Sequence, residues 1–190
     1  MINKLAIVLS GTALALTACG KHDGAANEPA NDVNILADDN MSATAEAPSP
    51  TSAQGFANAA AASDRFEIES SKLAASEASS AAVKSFAAKM IAAHEGSTAK
   101  LKTTTGGLSP AITPDDTLSS EQQASMDMLK TLKGADFDKA YAAAQVDAHQ
   151  KALDALNGYA ASGDTPALKD FASGLVPTVT AHLNMAKGLK

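Results

Sequence analysis

Residues 166–190, PALKDFASGLVPTVTAHLNMAKGLK, decide the fold. Leu168, Phe171, Leu175, Val179, His182, Ala186 and Leu189 recur at steps of three and four. That spacing lines side chains along one stripe of an α-helix and fits no β-strand. Thr165 stands where a cap belongs, and Pro166 takes the first helical position, where a missing N–H costs nothing. Pro177 falls inside the helix, deprives the Ser173 carbonyl of its partner and predicts a kink.

The same period extends upstream. A first helix is expected from near Phe56 to about Ser79, with Phe56, Ala59, Ser63, Phe66, Ser70, Leu73 and Glu77 on its inner stripe. Ser79 and Ser80 break it and cap a second helix carrying Val83, Phe86, Ala87, Met90, His94 and Leu101. Thr103–Asp116, with two glycines and two prolines, reads as a loop. Ser119 and Gln122 form a capping box for a short helix through Met126, Leu129 and Leu132, which Gly134 is expected to end. Asp136 is then expected to cap a long helix through Phe137, Tyr141, Ala148, Ala152, Leu156 and Tyr159 that closes at Gly163. No segment alternates as a strand would. The fold class is therefore all-α: four long helices and one short one, most simply a four-helix bundle over residues 55–190.

Three of the four histidines share a frame: β-branched residue, variable residue, alanine, histidine. His94 ends IAAH, His149 ends VDAH and His182 ends VTAH. Each points inward or nearly so from the middle of its helix, so the bundle would bring the three to similar heights. In FEIESS, Glu67 is the better placed carboxylate to join them and Glu69 the second choice, on the opposite flank of the apolar stripe. Asp147 lies two residues from His149 and faces away from it. Three imidazoles and one carboxylate would suit a single Cu, Zn or Fe ion, and nothing in the sequence selects among them. The same residues also suit a hydrogen-bonded polar core with no metal at all.

Charge and composition narrow the partners. Among 190 residues, 21 Asp and Glu face 15 Lys and Arg, and no basic stripe appears, so nucleic acid is an unsuitable partner. Aromatic residues make up 4 %, with no Trp, which leaves little for stacking a large cofactor. No glycine-rich elbow or nucleophile–histidine constellation stands out, so no catalytic residue and no enzymatic activity are assigned.

The amino-terminal part reads differently. Leu5–Leu16 is an apolar run broken only by Ser10, Gly11 and Thr12, and too short for a membrane span. LTAC follows, ending on Cys19, the chain's single cysteine. The run resembles a bacterial lipobox, which implies a signal peptide over 1–18 and lipidation of Cys19, anchoring the protein to a membrane. An ordinary cleaved signal with a free thiol, or an uncleaved anchor, are the alternatives. Gly20 stands where an inner-membrane retention signal would place Asp, which by analogy points to the outer membrane, facing the periplasm. Residues 19–54, rich in Ala, Asn, Asp, Ser and Pro, lack a sustained apolar period and are expected to form a disordered tether; His22 lies in it.

Three blocks carry a family resemblance: SDRFEIESSKLAASEASSAAVKSFAAKMIAAHEGSTAKL, FDKAYAAAQVDAHQKALDAL and LKDFASGLVPTVTAHLNMAKGL. Together they resemble a bacterial domain-of-unknown-function family, number four-one-four-two, often labelled as outer membrane protein. The resemblance covers about Gln54–Lys190 and implies a ferritin-like four-helix domain in secreted or envelope proteins, with no settled activity. Ferritin-like di-iron proteins carry a glutamate three residues before a ligand histidine. Here those positions are Ile91, Val146 and Val179, so di-iron chemistry is not implied. The function expected is that of a lipid-anchored, non-enzymatic binding or interaction module. The alternative is a mononuclear metal-binding or redox protein using His94, His149, His182 and Glu67.

Overall fold

A computed structural model describes residues 49–189, with the side chains of that span; the expected signal peptide, Cys19, His22 and most of the expected tether fall outside the described residues. Five helices follow in order: α1 (Ala53–Glu77), α2 (Ala81–Gly106), α3 (Ser120–Lys130), α4 (Gly134–Ser162) and α5 (Pro166–Lys187). Among the described residues there is no strand, only an isolated bridge between Ala78 and Gly134.

α1 packs on α2 and α4, and α5 packs on α4 and α2, which sets four long helices around one core. The three-residue links Ala78–Ser80 and Gly163–Thr165 force α1/α2 and α4/α5 into antiparallel hairpins. The bridge from Ala78 to Gly134 places the start of α4 beside the start of α2. The second hairpin therefore begins at the end where α2 begins, and a long crossover must return the chain along the bundle. α3 is that crossover, lying against α1 and α4. Two hairpins joined by one crossover make the ferritin-like topology.

Local chemistry explains most of the boundaries. The Ser52 side chain accepts from Gly55 N at 3.1 Å and starts α1. Ser80 caps α2, and the Ser119–Gln122 capping box opens α3 as its sequence predicts. α5 begins with Pro166 in the first turn and runs unbroken through Pro177.

Two boundaries differ from expectation. α2 continues to Gly106, so Thr103–Thr105 are helical; the Thr103 and Thr104 hydroxyls bond carbonyls four residues back and follow the helix rather than leave it. Gly134 does not close α3 but opens α4, at φ 61°. A glycine just past a short helix serves as readily for entry to the next one as for a stop. Asp136 accordingly lies in the first turn of α4, and the position before the helix is Lys133, with no side-chain cap.

The core has two apolar clusters. One holds Phe56, Leu101, Leu156, Tyr159, Leu168 and Phe171, with Phe56 stacked on Tyr159 at 4.0 Å between ring centroids. The other holds Val83, Phe86, Met90, Leu129, Phe137 and Tyr141. Between these clusters each of the four long helices carries buried polar residues: Glu67 and Ser70 on α1, His94 on α2, Gln145 and His149 on α4, and His182 on α5. The bundle thus has a polar waist. No helix of the described residues is long and apolar enough to cross a membrane.

Candidate metal centre

Each waist histidine is held by a different helix, and each is surrounded by side chains that keep water out. His94, His149 and His182 are 7 %, 1 % and 8 % exposed. Their ring centroids lie 5.5–5.8 Å apart. Each offers one ligand atom, and these three atoms lie within 4.8 Å of one another.

The ring nitrogens divide their work. His94 Nδ1–H donates to Asp64 Oδ1 at 2.8 Å, and Thr98 Oγ1 donates to Asp64 Oδ2 at 3.1 Å. His149 Nδ1–H donates to the Gln145 carbonyl one turn back, also at 2.8 Å. Both bonds fix the tautomer and leave Nε2 with its lone pair, as outer partners of metal-bound histidines do. His94 Nε2, His149 Nε2 and His182 Nδ1 are buried without a hydrogen-bond partner. An unpartnered buried polar atom costs about 1–3 kcal/mol, and proteins seldom gather three of them in one place. A metal ion would satisfy all three at once. Imidazole ligands at about 2.0–2.1 Å in tetrahedral geometry sit about 3.4 Å apart, so ring shifts of about 1 Å close the set.

Electrostatics agree with this division at two of the three rings. Burial pushes His149 and His182 down to about 4, which leaves both neutral and able to coordinate near neutral pH. Burial also opposes the charge on His94, but the bond to Asp64 and the neighbouring Glu67 outweigh it and hold His94 above its ordinary value. Burial drives Glu67 up to about 7, partly offset by His94.

A family model described as Domain of unknown function (DUF4142) matches residues 39–189. The chain belongs to that family. The family match carries the domain but assigns it no activity. No curated protein matches the chain. Among solved structures, the chain is similar to CopM in the Cu(II)-bound form, at 17 % identity and a TM-score of 0.61, over 72 % of this chain and 94 % of that one. It is also similar to CopM in the Ag-bound form, at 17 % identity and a TM-score of 0.59, over 72 % and 93 % of the two chains. At this identity the likeness shows the fold, and it supports the all-helical bundle.

The structure brings the three predicted histidines of this DUF4142 domain together. Glu67 joins the waist, 1 % exposed, but its nearest approach to the cluster is Oε1 to His149 Nδ1 at 3.6 Å. That is the edge of the ring bonded to Gln145, opposite the free nitrogen, so Glu67 stands behind the ligand set rather than within it. Neither of its oxygens has a hydrogen-bond partner. Glu69 lies apart, on the surface, in an ion pair with Arg65 at 2.8 Å. Asp147, on α4, pairs with Lys151 and not with the histidines.

Sequence reasoning missed Asp64 and Gln145. The expected inner stripe of α1 runs through Ala59, which is exposed. In fact α1 is covered by α2, α3 and α4, and its buried arc reaches Ala57, Ala61 and Asp64. A carboxylate three residues before Glu67 on an otherwise alanine-rich face was the available signal.

Proposed function

We propose that this chain is a lipid-anchored envelope protein whose helical bundle binds a single copper ion through His94 Nε2, His149 Nε2 and His182 Nδ1, and that it acts as a binding module rather than an enzyme. The observation that carries the reading is the set of three buried ring nitrogens, all unpartnered, from three histidines on three helices whose ligand atoms lie within 4.8 Å of one another. A purely structural histidine core would have spent those nitrogens on hydrogen bonds. Imidazole suits copper, zinc, iron and nickel, and copper heads the affinity order for divalent ions. One fold neighbour is a Cu(II)-bound form and the other an Ag-bound form, which supports copper over zinc or iron. Di-iron chemistry is disfavoured because Ile91, Val146 and Val179 stand where the carboxylates would be. The short apolar run ending in Cys19 supports the anchor.

The test is metal analysis and calorimetric titration of the purified protein beside a His94→Ala/His149→Ala/His182→Ala variant. One copper per chain is expected for the wild type and none for the variant. Equal copper in both would sink the site. For the anchor, Cys19→Ala should release the protein from membranes; association that survives high salt in that variant would count against lipidation.

A further inference from the structure

Two carboxylates lie in the waist with the three rings, and no basic side chain does. Asp64 and Glu67 are 5 % and 1 % exposed, and among the described residues no lysine or arginine is buried. Asp64 commits its two oxygens to His94 Nδ1–H and the Thr98 hydroxyl. Glu67 commits neither. Both of its oxygens are buried and unpartnered, and Oε1 lies 3.6 Å from His149 Nδ1. Nor does Glu67 orient that ring, because the Gln145 carbonyl already holds Nδ1–H at 2.8 Å.

Buried charges are ordinarily paired or coordinate a metal, since an isolated one is too costly to keep. The charges of a filled waist can be summed. Coordinated imidazoles are neutral, so the protein supplies two negative charges, from Asp64 and Glu67. A divalent ion cancels both. A monovalent ion leaves one carboxylate uncompensated where water is excluded.

We infer that Glu67 sets the charge of the metal this site accepts: its carboxylate, buried behind His149, is the second of two counter-charges that fit the waist to Cu(II) in preference to Cu(I). This rests on the copper site proposed above, and the test separates the two. Glu67 acts on the ion through its field, without coordinating it. Coulomb attraction doubles with the ion's charge, at any one distance and dielectric. Removing the carboxylate therefore costs Cu(II) twice the free energy it costs Cu(I), so a tenfold loss for Cu(I) becomes a hundredfold loss for Cu(II). The affinity ratio then moves tenfold, which for a one-electron couple raises the midpoint potential by about 59 mV. A role confined to packing would weaken both oxidation states alike and leave the potential where it was.

The test compares wild type with Glu67→Gln, which keeps the side-chain volume and removes the charge. Competition with chelators of known affinity gives the Cu(II) and Cu(I) constants, and redox titration gives the potential. Burial raises Glu67 to about 7, so the measurements are made at pH 8, where its carboxyl is ionised. Glu67→Gln should lose about tenfold more affinity for Cu(II) than for Cu(I), with the matching rise in potential. Glu67→Leu, equally uncharged, should do the same. Zn(II) and Ag(I), whose oxidation states are fixed, should follow Cu(II) and Cu(I) respectively. Glu67→Asp, which keeps the charge, should recover most of the difference. Glu69→Gln removes an exposed carboxylate paired with Arg65 and should change neither affinity. Equal losses for the two copper states, a Glu67→Asp variant that behaves as Glu67→Gln, or a Glu69→Gln variant that matches it would each overturn the role of Glu67 and leave the copper site standing. A wild type that binds neither copper state would overturn the copper site, and this role with it.

Discussion

A histidine can bind a metal through either ring nitrogen, and Asp64 decides which one His94 offers. By accepting from Nδ1–H at 2.8 Å it turns Nε2 toward the other two rings. Replacing Asp64 with Ala should therefore lower copper affinity about 10–100-fold, whereas Asp64→Asn, whose amide oxygen still accepts, should retain most of it. Competition against a chelator of known affinity measures both; equal affinities for Ala and wild type would remove Asp64 from this role. Glu67 poses the opposite problem, a carboxylate buried without partners. Its value is raised from 4.5 to about 7 by burial. Below pH 4.5 both folded and unfolded chains hold the proton. Between 4.5 and 7 only the folded chain does, so the stability tied to that proton is lost as pH rises through about 7. In metal-free protein, Glu67→Gln should gain stability relative to wild type from pH 4.5 to above 7, by on the order of 3 kcal/mol. Denaturant midpoints at pH 4.5, 6 and 8 give the difference; a gap independent of pH would mean that Glu67 ionises freely. His149 and His182, pushed down to about 4, act in the other direction. Their contribution is present above pH 6.5 and is lost as pH falls toward 4.

At the scale of elements, one carboxylate joins the two hairpins. Asp138, in the second turn of α4, accepts from Ser79 N at 3.1 Å and Ser80 N at 2.9 Å, and also from the Ser79 hydroxyl. It serves the start of α2 from another helix, as a cap supplied in trans. Asp138→Ala leaves those part-buried N–H groups without an acceptor and should cost about 2 kcal/mol in chemical denaturation, beyond an ordinary surface substitution. A loss under 1 kcal/mol would mean that water replaces the carboxylate. Nothing in the sequence marks Asp138 for this role, because its partners lie nearly sixty residues away. Features built from neighbours were legible: the capping box at Ser119, the seam of α5 and the inward histidines all follow from steps of three and four. Features that depend on what a helix packs against were not. Gly134 could close one helix or open the next, and only its φ decides. Asp64 became a waist residue because α1 is enclosed on three sides, which no single helical period records.

For the whole molecule, the polar waist separates two apolar clusters and is the place where the bundle gains least from burying hydrocarbon. The ligand set spans that weakness. His94 belongs to the first hairpin, while His149 and His182 belong to the second. A bound ion would thus tie the two hairpins together across a layer now held by few hydrogen bonds and several unpartnered atoms. Since the unfolded chain scatters these side chains along residues 94–182, a bound ion would favour the folded form. At free copper a hundredfold above the dissociation constant, mass action contributes about 2.7 kcal/mol. For a helical domain of this size that raises the thermal midpoint by about 8 °C. The His182→Ala variant should fold but lose most of the shift, because two imidazoles hold the ion more weakly and only α2 and α4 remain joined through it. Scanning calorimetry with and without copper tests this directly. A midpoint that moves equally in wild type and His182→Ala would place the copper elsewhere on the molecule. A midpoint that moves in neither would return the waist to a polar core whose unpartnered nitrogens have another cause.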